Sequence, residues 1–300
     1  MKRSITSNSM LLLRALYALL IVIATLWAMP RNALAQLYVG NARGFGAGIV
    51  SKYSAKTGHV ISANFITGLS NSPPVLAVKE NTLFVSDYDS IGEYDATTGV
   101  IQKAFFTGLR IIIGLALLVP SNGTGYHLAV SDANRVSTYD ATTGAVIKAD
   151  FITGLGEVGG LAVFGSAEKA VLFVTDRNED GGGTVGEYDA NTGFTINRHF
   201  ITGLSGPTGL AVTGNTLFVA NTSSGTVGKY DATTGGAVNA GFVTGLEKPH
   251  GLATSENTLF VASAEGHKVG AYDATTGEVI NARFITGLTQ AVGIAVKSAK

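Results

Sequence analysis

A six-bladed β-propeller, all-β and closed by its own C-terminal strand, is the fold this sequence predicts, on three observations. A six-residue phrase, YDATTG, stands at 94–99, 139–144, 230–235 and 272–277, with YDANTG at 188–193 and the variant YSAKTG at 53–58. A second phrase keeps step with it: FITGL begins at 65, 151, 200 and 284, FFTGL at 105 and FVTGL at 242. The tyrosines of the first phrase, Tyr53, Tyr94, Tyr139, Tyr188, Tyr230 and Tyr272, lie 41, 45, 49, 42 and 42 residues apart, the length of a four-stranded propeller blade.

Each element follows from one unit, Pro207 to Leu246. Short runs rich in Val, Phe, Leu and Thr alternate with Gly, Asn, Asp and Ser clusters, and no helical period appears after residue 36. Strand A is GLAV (209–212), nearly all apolar or Gly because the innermost strand is covered on both faces. Strand B is TLFVA (216–220), strand C TVGKY (226–230) and strand D AVNAGFV (237–243). The hexamer is then the hairpin from C to D: Asp231 closes an Asx-turn, Gly235 takes the positive φ, and the Tyr and Phe columns pack between blades.

Closure is read from the two ends. The chain opens on a B strand, LYVGN (37–41), and finishes on an unpaired A strand, AVGIAV (291–296), which should complete the first blade and leave no open edge. The predicted blades are 291–296 with 37–69, then 74–109, 113–155, 159–204, 208–246 and 250–288, a single domain over 36–300.

Residues 1–35 read as a secretory leader: Lys2, Arg3 and Arg14 precede the uncharged stretch Ala15–Met29, and Ala33-Leu34-Ala35 supplies a cleavage site. That stretch falls short of the roughly 20 apolar residues that span a bilayer, so export to the periplasm or exterior is expected, with no membrane span after cleavage. Four of the 21 basic residues and none of the 21 acidic ones lie in the leader, so 36–300 carries a formal charge of −4, which argues against nucleic acid. The chain has no cysteine, so packing alone must hold the exported domain, expected to be a monomer.

LFVANTSSGTVGKYDATTG followed by PHGLA resembles the NHL and YVTN-type propeller repeats, and SDANRVSTYD (131–140) is similar to the NHL pattern in which Asn-Arg-Val opens strand C. A related DAxTG turn occurs in quinoprotein propellers, whose docking tryptophan is missing here. The resemblance covers 36–300 and implies the six-bladed fold; such propellers include binding proteins, lactonases and lyases.

In a propeller the B–C loops and the links from strand D to the next strand A share one face, and the A–B and C–D turns share the other. The hexamer occupies the second face. Variable, charged and aromatic residues collect on the first: Arg43, Phe45, Tyr88, Asp89, Arg110, Arg177, Glu247, Lys248, His250 and His267. A ligand should meet that face.

Three features there bear on chemistry. The residue ending strand B is polar in every blade, Asn41, Asp87, Asp132, Asp176, Asn221 and Ser263, and these either cap their own B–C loops or ring a cation at the channel mouth. In the gluconolactonase-like propellers that this fold resembles, a carboxylate at this position takes part in metal binding. Blade 4 carries DRNEDGGGTVGE (176–187), in which Asp176, Asn178, Asp180, Gly182, Thr184 and Glu187 match the ligand positions of a calcium loop. His250 opens the last strand A where the other blades offer Pro74, Ile113, Gly159, Thr208 and Val292, so no histidine ring exists; His59, His127, His199 and His267 share no register. The expectation is a non-catalytic exported propeller that binds a protein, peptide or glycan on its B–C face, with Ca²⁺ a candidate in blade 4. The alternative is a metal-dependent lactonase, hydrolase or lyase of the gluconolactonase or streptogramin-lyase type with His250 as base.

Overall fold

The computed structural model describes residues 35–42, 48–70, 74–105, 109, 111–177 and 180–299. Residues 1–34 of the expected leader, and Arg43, Phe45 and Arg110 of the ligand face, lie outside the described residues. Ala35–Ser298 form one compact unit of six four-stranded antiparallel sheets.

Blade 1 joins β24 (Ala291–Lys297) to β1 (Gln36–Ala42), β2 (Gly48–Ser54) and β3 (Val60–Leu69). Blade 2 is β4 (Leu76–Lys79), β5 (Thr82–Asp87), β6 (Ser90–Asp95) and β7 (Ile101–Phe105). Blade 3 is β8 (Ile112–Leu118), β9 (His127–Asp132), β10 (Arg135–Asp140) and β11 (Val146–Ile152). Blade 4 is β12 (Glu157–Phe164), β13 (Val171–Arg177), β14 (Gly182–Asp189) and β15 (Thr195–Ser205). Blade 5 is β16 (Pro207–Thr213), β17 (Thr216–Asn221), β18 (Thr226–Asp231) and β19 (Ala237–Val243). Blade 6 is β20 (Pro249–Ser255), β21 (Thr258–Ser263), β22 (Lys268–Asp273) and β23 (Val279–Ile285). As expected, the last strand closes the ring: β24 pairs antiparallel with β1 through Leu37↔Val296, Tyr38↔Ala295 and Val39↔Ile294.

The hexamer works as a clip. In blade 5 Asp231 Oδ1 accepts hydrogen bonds from the backbone N–H groups of Thr233 (2.9 Å) and Thr234 (2.8 Å). Its Oδ2 accepts from Asn215 Nδ2 at 2.6 Å, tying the C–D hairpin to the A–B turn on the same face. The pattern repeats at Asp95 with Asn81 and at Asp273 with Asn257. The backbone N–H groups of Thr234, then Thr233, hold the Asp231 carboxyl below the ordinary carboxylate range.

The phrase also makes the seam between blades. Tyr230 packs on Phe173 and Phe200 of blade 4, and Tyr272 on Phe218 and Phe242 of blade 5. Gly235 sits at φ +73°, and a Cβ there would overlap the carbonyl oxygen of Phe200, so Gly is required for two reasons. Lys229 lies over the Phe242 ring and donates to the carbonyls of Ala274 and Thr275 in the next blade, both at 3.0 Å.

Burial departs from the apolar pattern chiefly along strand D. Val60, Ile101, Val146, Phe194, Val238 and Val279, at the start of strand D in each blade, are all more than half exposed. These residues suit the extended outer strand by β propensity, not by burial.

Candidate functional site

Strand A is bulged where it meets the axis. In blade 6 the register passes from Pro249↔Ser263 to Leu252↔Val261, leaving His250 and Gly251 out of the ladder; blade 5 does the same at Thr208 and Gly209. A bulge of this kind re-aims side chains, and here it turns His250 and Thr208 to the central channel. The glycine that follows lets blades approach: a Cβ on Gly209 would overlap the His250 carbonyl, and one on Gly251 the Val292 carbonyl. The channel cavity has a volume of about 240 Å³ and is walled by apolar side chains such as Ile113, Leu161, Leu210 and Ile294.

The polar column ending strand B has a different task from the one expected. Asn41 Oδ1 accepts from the backbone N–H groups of Thr289 (2.9 Å) and Gln290 (2.8 Å), Asp87 from Ser70 (2.5 Å), Asp176 from Gly156 (2.7 Å) and Asn221 from Ser205 (3.4 Å). Each acceptor therefore pins the link arriving from the previous blade instead of capping its own B–C loop. The reason is topological: strand A starts beside the end of strand B, so the incoming link passes over that residue. Asp132 is buried with Oδ2 3.5 Å from Arg135 Nη2, and Ser263 is buried at the end of β21. Among the described residues no three His, Asp or Glu side chains stand together as a metal site.

In blade 4 most of the described part of the expected calcium loop lies along two strands. β13 and β14 pair through Asp176↔Thr184 and Arg177↔Gly183, so Asp176, Thr184 and Glu187 lie along two paired strands. Asp176 is already engaged by Gly156 and stands 3.8 Å from Arg198, burial raises the Glu187 pKa, and Asp180 Oδ1 accepts from Gly182 N. Asn178 lies outside the described residues. Asp176, Thr184 and Glu187 are therefore held along a ladder and not curled round one point.

The structure gathers a basic group at the mouth instead, between blades 4, 5, 6 and 1. A cavity of about 640 Å³ is lined by Arg177, Thr222, Lys248, His250, Glu265, His267 and Gln290 among others. Arg177 and His250 line both this cavity and the channel below. Arg177 donates through Nη2 to Glu157 Oε1, while its Nε is buried without a hydrogen-bond partner among the described residues. Burial, with the positive charges of Arg177 and Lys248, holds the His250 pKa below its ordinary value, so the ring is neutral at neutral pH. His267 Nδ1 lies 2.5 Å from the Thr289 carbonyl.

Two of these residues occupy strained backbone. Lys248 has φ +53° and His267 φ +52°; at the corresponding places in blade 5 stand Gly206 (φ +59°) and Gly225 (φ +66°). A non-Gly residue in this region costs roughly 1–2 kcal/mol; the same left-handed backbone recurs at Glu80, Tyr88, Ala133 and Glu256, the last standing where blade 5 has Gly214. Reading the sequence by residue type alone missed this; setting EKPHGLA against SGPTGLA and EGHKVG against SSGTVG would have shown two glycines replaced by basic residues.

The fold defines the class, a six-bladed β-propeller with a basic cavity at one end of its channel. A family model described as outer membrane protein assembly factor BamB matches residues 181–280, within blades 4 to 6. Among solved structures, a chain in the crystal structure of a nidogen/laminin complex superimposes with a TM-score of 0.69 at 16% identity, covering 89% of this chain and 99% of that one. No curated protein matches the chain. Among the described residues no helix is long and apolar enough to cross a membrane.

Proposed function

We propose that this chain is an exported, non-catalytic propeller that binds a partner through the face carrying its B–C loops and interblade links. One observation carries the reading: Arg177, Lys248, His250 and His267 meet in one cavity at the channel mouth. The hexamer face repeats the same hydrogen-bonded clip from blade to blade. The matched names agree with a binding role, one being an assembly factor and the other a member of a two-protein complex. A metal hydrolase is less well supported, because Asp87 and Asp176 are committed to backbone N–H groups and the groups whose charge acts most on His250 are the cations Arg177 and Lys248, not an orienting carboxylate.

Site-specific photocrosslinking in cells that express the full chain tests this. A photoreactive residue at Glu265 or Tyr88 is expected to give discrete adducts, and one at Thr234 or Glu278 on the hexamer face none. Adducts from the hexamer positions alone would overturn the assignment.

A further inference from the structure

We propose that the mouth binds a single carboxylate attached to an apolar group, with the carboxylate at Arg177 and Lys248 and the apolar part in the channel. The inference rests on the binding role proposed above and names the ligand class.

The donors at the mouth point to an anion. Arg177 and Lys248 are the Arg and Lys side chains lining the cavity and Glu265 its one carboxylate, while Glu157 pairs with Arg177 from outside the lining. Lys248 and Glu265 are 3.9 Å apart with both side chains largely exposed, a pair too weak to hold Lys248 against a better acceptor. Arg177 is firmly placed, because Glu157 holds Nη2 and the two residues also pair across β12 and β13. Its Nε, buried and without a hydrogen-bond partner among the described residues, is a donor that an incoming carboxylate oxygen would satisfy after a small swing of the side chain.

The shape adds the apolar half. The cavity of about 640 Å³ is of ordinary ligand size, and the channel cavity beneath it, about 240 Å³, has room for a leucine-sized side chain. The two share Arg177 and His250 in their walls, so a ligand gripped at Arg177 stands beside the half-buried imidazole at the entrance to the channel lined by Leu115, Leu210 and Val292. A peptide ending in an apolar residue and a short aliphatic acid present the same chemistry.

Calorimetric titration of the full chain tests the proposal with three probes: acetyl-Gly-Leu with a free carboxylate, the same peptide as its amide, and hexanoate. The free-acid peptide is expected to bind at least about tenfold more tightly than the amide. Hexanoate binding as well as the peptide acid marks the aliphatic acid as sufficient; weaker binding marks a chain terminus as the source. Arg177→Gln should lower affinity for both acids by about tenfold or more without changing the amide, and Glu157→Gln, which frees Nη2, should raise it. Melting curves establish that each variant is folded, and the opposite signs of the two changes separate recognition from damage. Equal binding of acid and amide, indifference to both substitutions, or no binding by any acid would overturn the carboxylate assignment. If that happens while photocrosslinks still arise from Glu265, the binding face stands and only the ligand class falls.

Discussion

Ending the chain at Gln290 abolishes cooperative folding. The lost strand, β24, supplies Ala291, Ile294 and Ala295 to the core, and it covers Leu37, Tyr38 and Val39 of β1, none of which has any exposed surface. Burying one large aliphatic side chain is worth about 1.5–3 kcal/mol, so losing Val292, Ile294 and Val296 and uncovering their partners removes on the order of 5–10 kcal/mol. That is comparable to the whole net stability of a typical domain, about 5–15 kcal/mol. The exposed backbone of β1 would also become an open edge ready to pair with another chain. Circular dichroism melts and size-exclusion chromatography check this: loss of the cooperative transition, or aggregation, is expected. A truncated monomer melting within a few degrees of the full chain would contradict it.

Gly209→Val is the most damaging single substitution expected. The ring is drawn tight at strand A by five glycines in equivalent places, Gly293, Gly114, Gly160, Gly209 and Gly251, each with its Cα against a carbonyl oxygen of the next blade. At Gly209 the added Cβ would overlap the His250 carbonyl oxygen, which is backbone and can move only if blades 5 and 6 separate. Overpacking commonly costs 1–3 kcal/mol, and with two blades forced apart a loss of about 3 kcal/mol or more is expected. Gly241→Ala is the control, since its Cβ would meet only the Thr244 methyl at 3.6 Å. Urea midpoints should fall sharply for the first and little for the second; similar values for both would show that the blades are not locked at the axis. Blade 2 has Val75 at the matching position, and there the side chain packs on the cluster of Ile112 and Leu115.

Much of the architecture was legible because the repeat states it several times over. Blade number, the closing strand, the four strands of blade 5 and the Asx-turn at Asp231 all follow from local patterns whose partners are near in sequence. What lay beyond reading depends on partners far along the chain. The column from Asn41 to Ser263 was visible as polar, yet its acceptors serve the link from the previous blade, 249 residues away in the case of Asn41 and Gln290. The pairing of Arg177 with Gly183 in blade 4 was hidden for a related reason: the spacing there reads as a loop, whereas the two residues face each other across a ladder. Val60 and its counterparts are apolar in sequence and exposed in the fold, because an outer strand rewards extended shape without supplying a cover. His250 was placed at the channel from alignment alone, whereas Arg177 reaches the mouth from the far end of β13, which only the ring geometry shows.

The central claim is that the repeat builds the ring and the exceptions at the mouth serve a ligand, and the melting temperature of the double variant Lys248→Gly, His267→Gly tests it most directly. Each change installs the residue that blade 5 already uses at that backbone angle, relieving roughly 1–2 kcal/mol of strain against the roughly 0.5–1 kcal/mol of extra chain entropy that glycine brings. The account predicts a variant that melts no lower than the parent chain. A melting temperature several degrees lower would show that Lys248 and His267 hold the fold together, and would contradict it.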